Sequence, residues 1–126
     1  MDISLNRIII YGADISALKK FYIENFNLTV VEEIPGEWLV LNAGIVEIAF
    51  HRIGEQYRSE KPFKANSNVK LVFSLLDDIA VYREKLVANN VEMSEIKSYQ
   101  GLGYLLCDGI DIEGNIFQLM QTPSTF

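Results

Sequence analysis

The stretch Arg7-Ile-Ile-Ile-Tyr-Gly-Ala-Asp14 decides the fold, because the chain repeats its plan at Lys70-Leu-Val-Phe-Ser-Leu-Leu-Asp77. Each stretch is a basic residue, an apolar run suited to a buried strand, and an aspartate whose carboxylate can accept the free N–H groups of a helix's first turn. An amphipathic helical pattern and several strand-like runs follow both times. A repeat with so long a period points to two copies of one supersecondary module. A cleft between two such modules is a natural ligand site.

Working outward, Arg7 to Tyr11 reads as a buried strand. Ile15, Leu18, Phe21, Tyr22 and Phe26 recur at helical spacing, and Asn25 and Asn27 mark the helix end. Leu28 to Ile34 and Glu37 to Asn42 read as strands on either side of a Pro35-Gly36 turn, and Ile45 to Arg52 as a fourth. Gly54 to Asn68 is polar and carries Pro62, so 53–68 reads as the linker. In the second half, Val69 to Leu76 is a strand, and Asp77 or Asp78 caps a helix bearing Ile79, Tyr82, Leu86 and Val87. Val91 to Ile96 is a weak strand, and Ser98 to Gly103 a loop. Tyr104 to Cys107 and Ile116 to Gln121 are the last strands, joined by the turn signal Glu113-Gly114-Asn115. Thr122 to Phe126 is expected to fray. The order is βαβββ twice, an α+β fold: one domain over 1–126, with module 1 at about 5–52 and module 2 at about 69–121. Helices on the outer face of each sheet would leave the other face curved around a cleft.

The chain has 126 residues, 49% of them hydrophobic and 22% charged, as suits a globular protein. A net charge of −6 argues against nucleic-acid binding, which needs a basic face. The one cysteine, Cys107, permits no internal disulfide and reads as a small buried hydrophobe. No apolar run approaches the ~20 residues that span a bilayer, and the N-terminus has no signal-peptide pattern. The expected location is cytoplasmic.

Two motifs carry a family resemblance. Asp14-Ile-Ser-Ala-Leu-Lys-Lys-Phe-Tyr22 is similar to D-x-x-x-[AS]-x-x-F-Y, and Asp111-Ile-Glu-Gly-Asn-Ile-Phe-Gln-Leu119 to D-P-x-G-N-x-[FI]-E-L, departing at Ile112. With the repeat, they resemble the vicinal oxygen chelate superfamily: glyoxalase I, extradiol dioxygenases, fosfomycin-resistance enzymes and bleomycin-resistance proteins. The resemblance implies paired modules rolled into a half-open barrel, and commonly a homodimer with clefts at or near the subunit interface. It does not imply one activity, because the fold hosts unrelated functions.

The resemblance also implies where a divalent metal would bind in the enzymes of the family. The two histidine positions fall on Arg7 and Lys70, the fourth-strand carboxylate on Glu47, and the last-strand glutamate on Gln118. Arg7 and Lys70 donate no electron pair while charged. Each would repel a dication by roughly 8 kcal/mol at ~4 Å and effective ε ~20. The metal site is therefore expected to be lost. One reading makes Arg7, Glu47, Lys70 and Gln118 an internal network. Glu47 would pair with either cation and Gln118 bond to either, leaving about one surplus positive charge for a ligand carboxylate. The other sends the basic heads of Arg7 and Lys70 to solvent.

The remaining candidates are aromatic or titratable. His51 follows Glu47 along one strand face and reads as a structural residue or a general base. A metal site from Glu47, His51 and Gln118 is a weaker alternative. Tyr11 shares a strand face with Arg7 and Ile9, while Trp38 and Tyr104 start the third strands of their modules. These rings would either line a cleft that stacks a flat ligand or pack against the helices. Gly101-Leu-Gly103 would form a loop over such a ligand.

Two functions follow. The favoured one is a homodimeric protein that holds a small organic molecule in the inter-module cleft without a catalytic metal or other cofactor, with Arg7, Ile9, Tyr11, Trp38, Glu47, His51, Lys70, Tyr104 and Gln118 as cleft residues. The alternative is a glyoxalase-like lyase or isomerase, or a dioxygenase-like enzyme, using Zn, Ni, Mn or Fe to polarise substrate oxygens.

Overall fold

The computed structural model describes residues 2–101 and 103–122. Leu102, central to the expected loop, and the tail 123–126 lie outside the described residues. The chain divides into two compact units, residues 1–64 and 65–126.

In the first unit, β1 (Arg7–Gly12) leads to α1 (Ile15–Phe26), followed by β2 (Thr29–Ile34), β3 (Trp38–Asn42) and β4 (Glu47–Arg52). The four strands form one sheet in the order β1-β4-β3-β2, with β1 parallel to β4 and the other pairs antiparallel. α1 starts where expected, because the Asp14 carboxylate accepts the Ala17 N–H at 3.0 Å. It ends at Asn27, whose left-handed backbone (φ 54°) an asparagine tolerates better than most residues. The β2–β3 turn likewise uses Gly36 at φ 76°. Alternation divides the sheet into two faces. Leu39, Leu41, Ile48 and Phe50 join Ile15, Leu18, Phe21 and Tyr22 of α1 in the core, where the Tyr22 and Phe50 rings lie 5.1 Å apart. The opposite face carries Arg7, Ile9 and Tyr11, in register with Glu47, Ala49 and His51 of β4. Beyond them, across β4, come Asn42, Val40 and Trp38 of β3.

A short 3-10 turn (Glu55–Tyr57) follows β4. The second unit then runs β5 (Lys70–Leu75), α2 (Ile79–Ala88), β6 (Glu92–Met93), β7 (Lys97–Ser98), β8 (Leu105–Ile110) and β9 (Ile116–Gln121). Its sheet has the order β5-β9-β8-β6, with β7 also on β8. Leu71, Ile79, Leu86, Val91, Cys107, Phe117 and Leu119 form the core. Both units thus build an open mixed sheet with a helix on one face, the α+β architecture read from the repeat.

The second unit departs from the expected βαβββ in two places. Of the single strand expected over Val91 to Ile96 only β6 forms, and the chain pairs again at β7, just beyond it. Ser94 breaks it: its hydroxyl, rather than a backbone carbonyl, accepts the Asp108 N–H at 2.9 Å. The strand expected at Tyr104 to Cys107 starts one residue later and continues to Ile110, so Tyr104 precedes it. The hairpin behind this extension is built by Asp111. Its buried carboxylate accepts the N–H groups of Glu113 (2.8 Å) and Asn115 (3.0 Å) and the Asn115 side-chain amide (2.9 Å). Those bonds close the turn that the D-x-E-G-N motif encodes.

Candidate functional site

Six of the nine expected cleft residues, Arg7, Ile9, Tyr11, Trp38, Glu47 and His51, stand together on the face of the first unit's sheet away from α1. The parallel β1–β4 register sets Arg7 directly beside Glu47. Arg7 Nε and Nη2 both converge on Glu47 Oε1 at 3.0 Å. The guanidinium also lies 5.7 Å from the Trp38 ring centroid, a cation–π distance. His51 is flanked by two rings, Tyr11 at 5.5 Å and Trp38 edge-on at 5.6 Å. The Trp38 indole N–H donates to Glu32 Oε2 at 2.7 Å, which fixes the plane of the ring. Val40 and Ala49, small and fully buried, form the floor of this face, while Ile9 and Tyr11 are 51% and 60% exposed. An apolar floor with oriented rings and a few polar groups is the composition of a small-molecule site.

Lys70 and Gln118 belong to the second unit, where both bond to Asp108. Lys70 Nζ lies 2.8 Å from Asp108 Oδ2, and Gln118 Nε2 donates to Asp108 Oδ1 at 3.0 Å. Burial pushes the Asp108 carboxyl up. The bonds from Lys70 and Gln118, with the positive charges of Lys70 and Lys97, outweigh that and hold it below its ordinary value. Tyr104 is elsewhere in this unit, half-buried beside Tyr99, Leu105 and Gln121 on a cavity of ≈ 240 Å³.

These pairings correct the network expected from the sequence. Gln118 bonds to Asp108, not to either cation, and Lys70 takes Asp108, not Glu47. Once Asp108 is counted with these four positions, Arg7 and Lys70 each have a carboxylate partner, so the positive surplus expected to meet a ligand carboxylate is answered within the protein. Both basic heads are engaged and still reach solvent in part, with side chains 31% exposed at Arg7 and 44% at Lys70. Asp108 was missed, although one signal marks it: counting outward from the Glu113-Gly114 turn pairs Asp108 with Gln118 across β8 and β9. Glu32 was missed because a bulge between Val30 and Glu32 shifts its register.

The same geometry does not suit a divalent cation at the positions that the resemblance implies. Glu47 offers a carboxylate whose Oε1 already holds Arg7, Gln118 turns its amide nitrogen to Asp108, and Arg7 and Lys70 are cations. His51 packs between rings rather than beside a carboxylate. Among the described residues, no group of three or more His, Cys, Asp or Glu side chains is placed to hold a metal. No helix among them is long and apolar enough to cross a membrane.

No protein-family profile matches the chain, and no curated protein does. Solved structures do match it. The genomically encoded fosfomycin resistance protein FosX from Listeria monocytogenes superposes with a TM-score of 0.76 at 15% identity, over 98% of this chain and 96% of that one. Lactoylglutathione lyase from Agrobacterium tumefaciens gives 0.70 at 18%, over 94% and 92%. An integron cassette protein from the mobile metagenome of V. cholerae gives 0.74 at 18%, over 98% of each chain. The chain therefore shares its fold with these structures. At these identities the likeness is one of fold.

Proposed function

We propose that the chain binds a small organic molecule without a catalytic metal, after the manner the resemblance to bleomycin-resistance proteins implies. The ligand would lie on the face of the first unit's sheet away from α1, stacked against Tyr11 and Trp38. One observation carries this reading. Where the fold's enzymes keep metal ligands, Arg7 and Glu47 satisfy each other, directly beside a cluster of oriented rings. Because the pair is self-neutralised, stacking and apolar contact would supply most of the affinity, and a neutral or weakly charged flat molecule suits the face best. A homodimer belongs to the same reading, to be checked by light scattering.

Trp38 is the only tryptophan, so its fluorescence reports on this face alone. A library of flat heterocycles is titrated against the purified protein while that emission is followed. Saturable quenching that disappears in Tyr11→Ala supports the reading, and a library-wide failure to perturb the emission sinks it. Elemental analysis accompanies the titration. One metal per chain, lost in Glu47→Ala, would overturn the metal-independent reading in favour of a glyoxalase-like or dioxygenase-like enzyme.

A further inference from the structure

The first unit contains a second concavity that shares no residue with the face just described. Ala13, at the β1–α1 turn, Arg52 and Ile53, at the end of β4, and the segment from Tyr57 to Lys64 enclose ≈ 320 Å³. That is the lower end of the volume range for small-molecule sites. Backbone bonds tie its wall to the sheet: Ile53 N–H donates to Gly12 O at 2.9 Å and Tyr57 N–H to Gly54 O at 2.9 Å. The Arg58 Nε–H donates to Ile53 O at 2.9 Å, which pins the guanidinium stem against the same wall.

Its charge runs against that of the whole chain. The protein carries −6 overall, yet residues 52–64 hold four cations, Arg52, Arg58, Lys61 and Lys64, against two carboxylates, Glu55 and Glu60. All four cations line the cavity and no acidic residue does. Arg52 is occupied by Glu37 at 2.9 Å. Arg58, Lys61 and Lys64 have no carboxylate partner among the described residues. Two rings complete the lining: Tyr57, 76% exposed, and Phe63, 38% exposed. An acidic protein that gathers three cations without a carboxylate partner around a preformed hollow with two accessible rings has the makings of an anion site with a stacking platform.

We propose that this cavity binds a small organic anion in which one flat ring system carries a phosphate or a comparable dianionic head. The head would sit among Arg58, Lys61 and Lys64, and the ring against Tyr57 and Phe63. The volume accommodates one ring system with its head.

The probe is 1-naphthyl phosphate, titrated by calorimetry into the full chain, with inorganic phosphate and 1-naphthol as half-ligands. The expected result is saturable 1:1 binding, more than tenfold tighter than either half-ligand. Affinity should fall more than tenfold in Lys61→Glu/Lys64→Glu and more than threefold in Tyr57→Ala, and stay unchanged in Trp38→Ala. These residues are exposed, so the variants are expected to fold, and unchanged circular dichroism checks that they do. No saturable binding, equal affinity in the charge-reversed variant, or 1-naphthol binding as tightly as its phosphate would each overturn the proposal. Because Trp38→Ala separates the two faces, failure here leaves the sheet-face reading standing, and the reverse also holds.

Discussion

Replacing Arg7 by methionine tests whether the pair at the family's ligand positions is an organised part of the site. Two guanidinium nitrogens meet one Glu47 oxygen at 3.0 Å, with only 31% and 24% of the two side chains exposed. Charges ~4 Å apart attract by about 4 kcal/mol at an effective ε of ~20. Loss of hydration and the entropy of fixing a long arginine take back most of that. The residual exposure and the use of one carboxylate oxygen rather than two reduce it further. A coupling of about 1–1.5 kcal/mol between Arg7 and Glu47 remains, above the median for exposed pairs and below a buried fork. Arg7→Met also loses the contact with the Trp38 ring, worth about 0.5 kcal/mol at this exposure. The single variant should therefore lose about 1.5–2 kcal/mol. The assay is a double-mutant cycle over Arg7→Met and Glu47→Gln, by urea unfolding followed through circular dichroism and Trp38 emission. A coupling under about 0.3 kcal/mol would refute the reasoning, because the pair would then be an ordinary solvated contact with no part in organising the face.

In the second unit, Gly109→Ala should cost about 2–3 kcal/mol in urea unfolding. The new Cβ would come within 2.5 Å of Met93 Sδ and crowd the fully buried Phe117 ring. The Cys107 thiol is 3% exposed, and burial, aided by the Asp108 charge against that of Arg83, pushes it up. A thiol reagent should therefore label it at least about 100-fold more slowly in native buffer than in urea. Asp108 is held below its ordinary value of 3.8, so the stabilisation it contributes is present above that value and is lost as pH falls through the lower folded one. Asp108→Asn should accordingly flatten the fall in stability as the pH drops below about 4. An acid limb with unchanged slope would refute the assignment.

How far the sequence carried depended on whether a feature was local. Both helices begin and end on residues whose chemistry is legible alone: Asp14 and Asp78 accept N–H groups at the starts, and Asn27 and Asn89 stand at the ends. The apolar alternation of β1 and β4 named the core face and, with it, the partners on the other face. The strand after α2 was misread because its interruption depends on a bond between Ser94 and Asp108, residues far apart in the chain. The charge balance at the ligand positions failed for the same reason. Arg7 and Glu47 are joined by a strand register that topology alone predicts, whereas Asp108 enters only through the β8–β9 hairpin. The basic cavity was hidden differently. Its linker has no periodicity, and the meaning of Arg58, Lys61 and Lys64 lies in the hollow they enclose rather than in any spacing.

The distribution of charge assigns the two candidate faces different binding physics. On the sheet face, Arg7 is cancelled by Glu47, and Glu32 adds a carboxylate at the Trp38 indole. A ligand there gains little from its own charge, and raising the salt concentration should hardly change its affinity. Around the linker cavity, Arg58, Lys61 and Lys64 have no carboxylate partner among the described residues, and all three are exposed to solvent. Binding of a dianion there should weaken several-fold as ionic strength rises from about 0.02 M to 0.2 M, since the Debye length shrinks from about 20 Å to 7 Å. The salt dependence of each titration therefore identifies which face a ligand has found, before any variant is made. A dianion whose affinity is steeply salt-dependent yet quenches Trp38 directly would contradict this division, because it would require net positive charge on a face whose arginine is already matched.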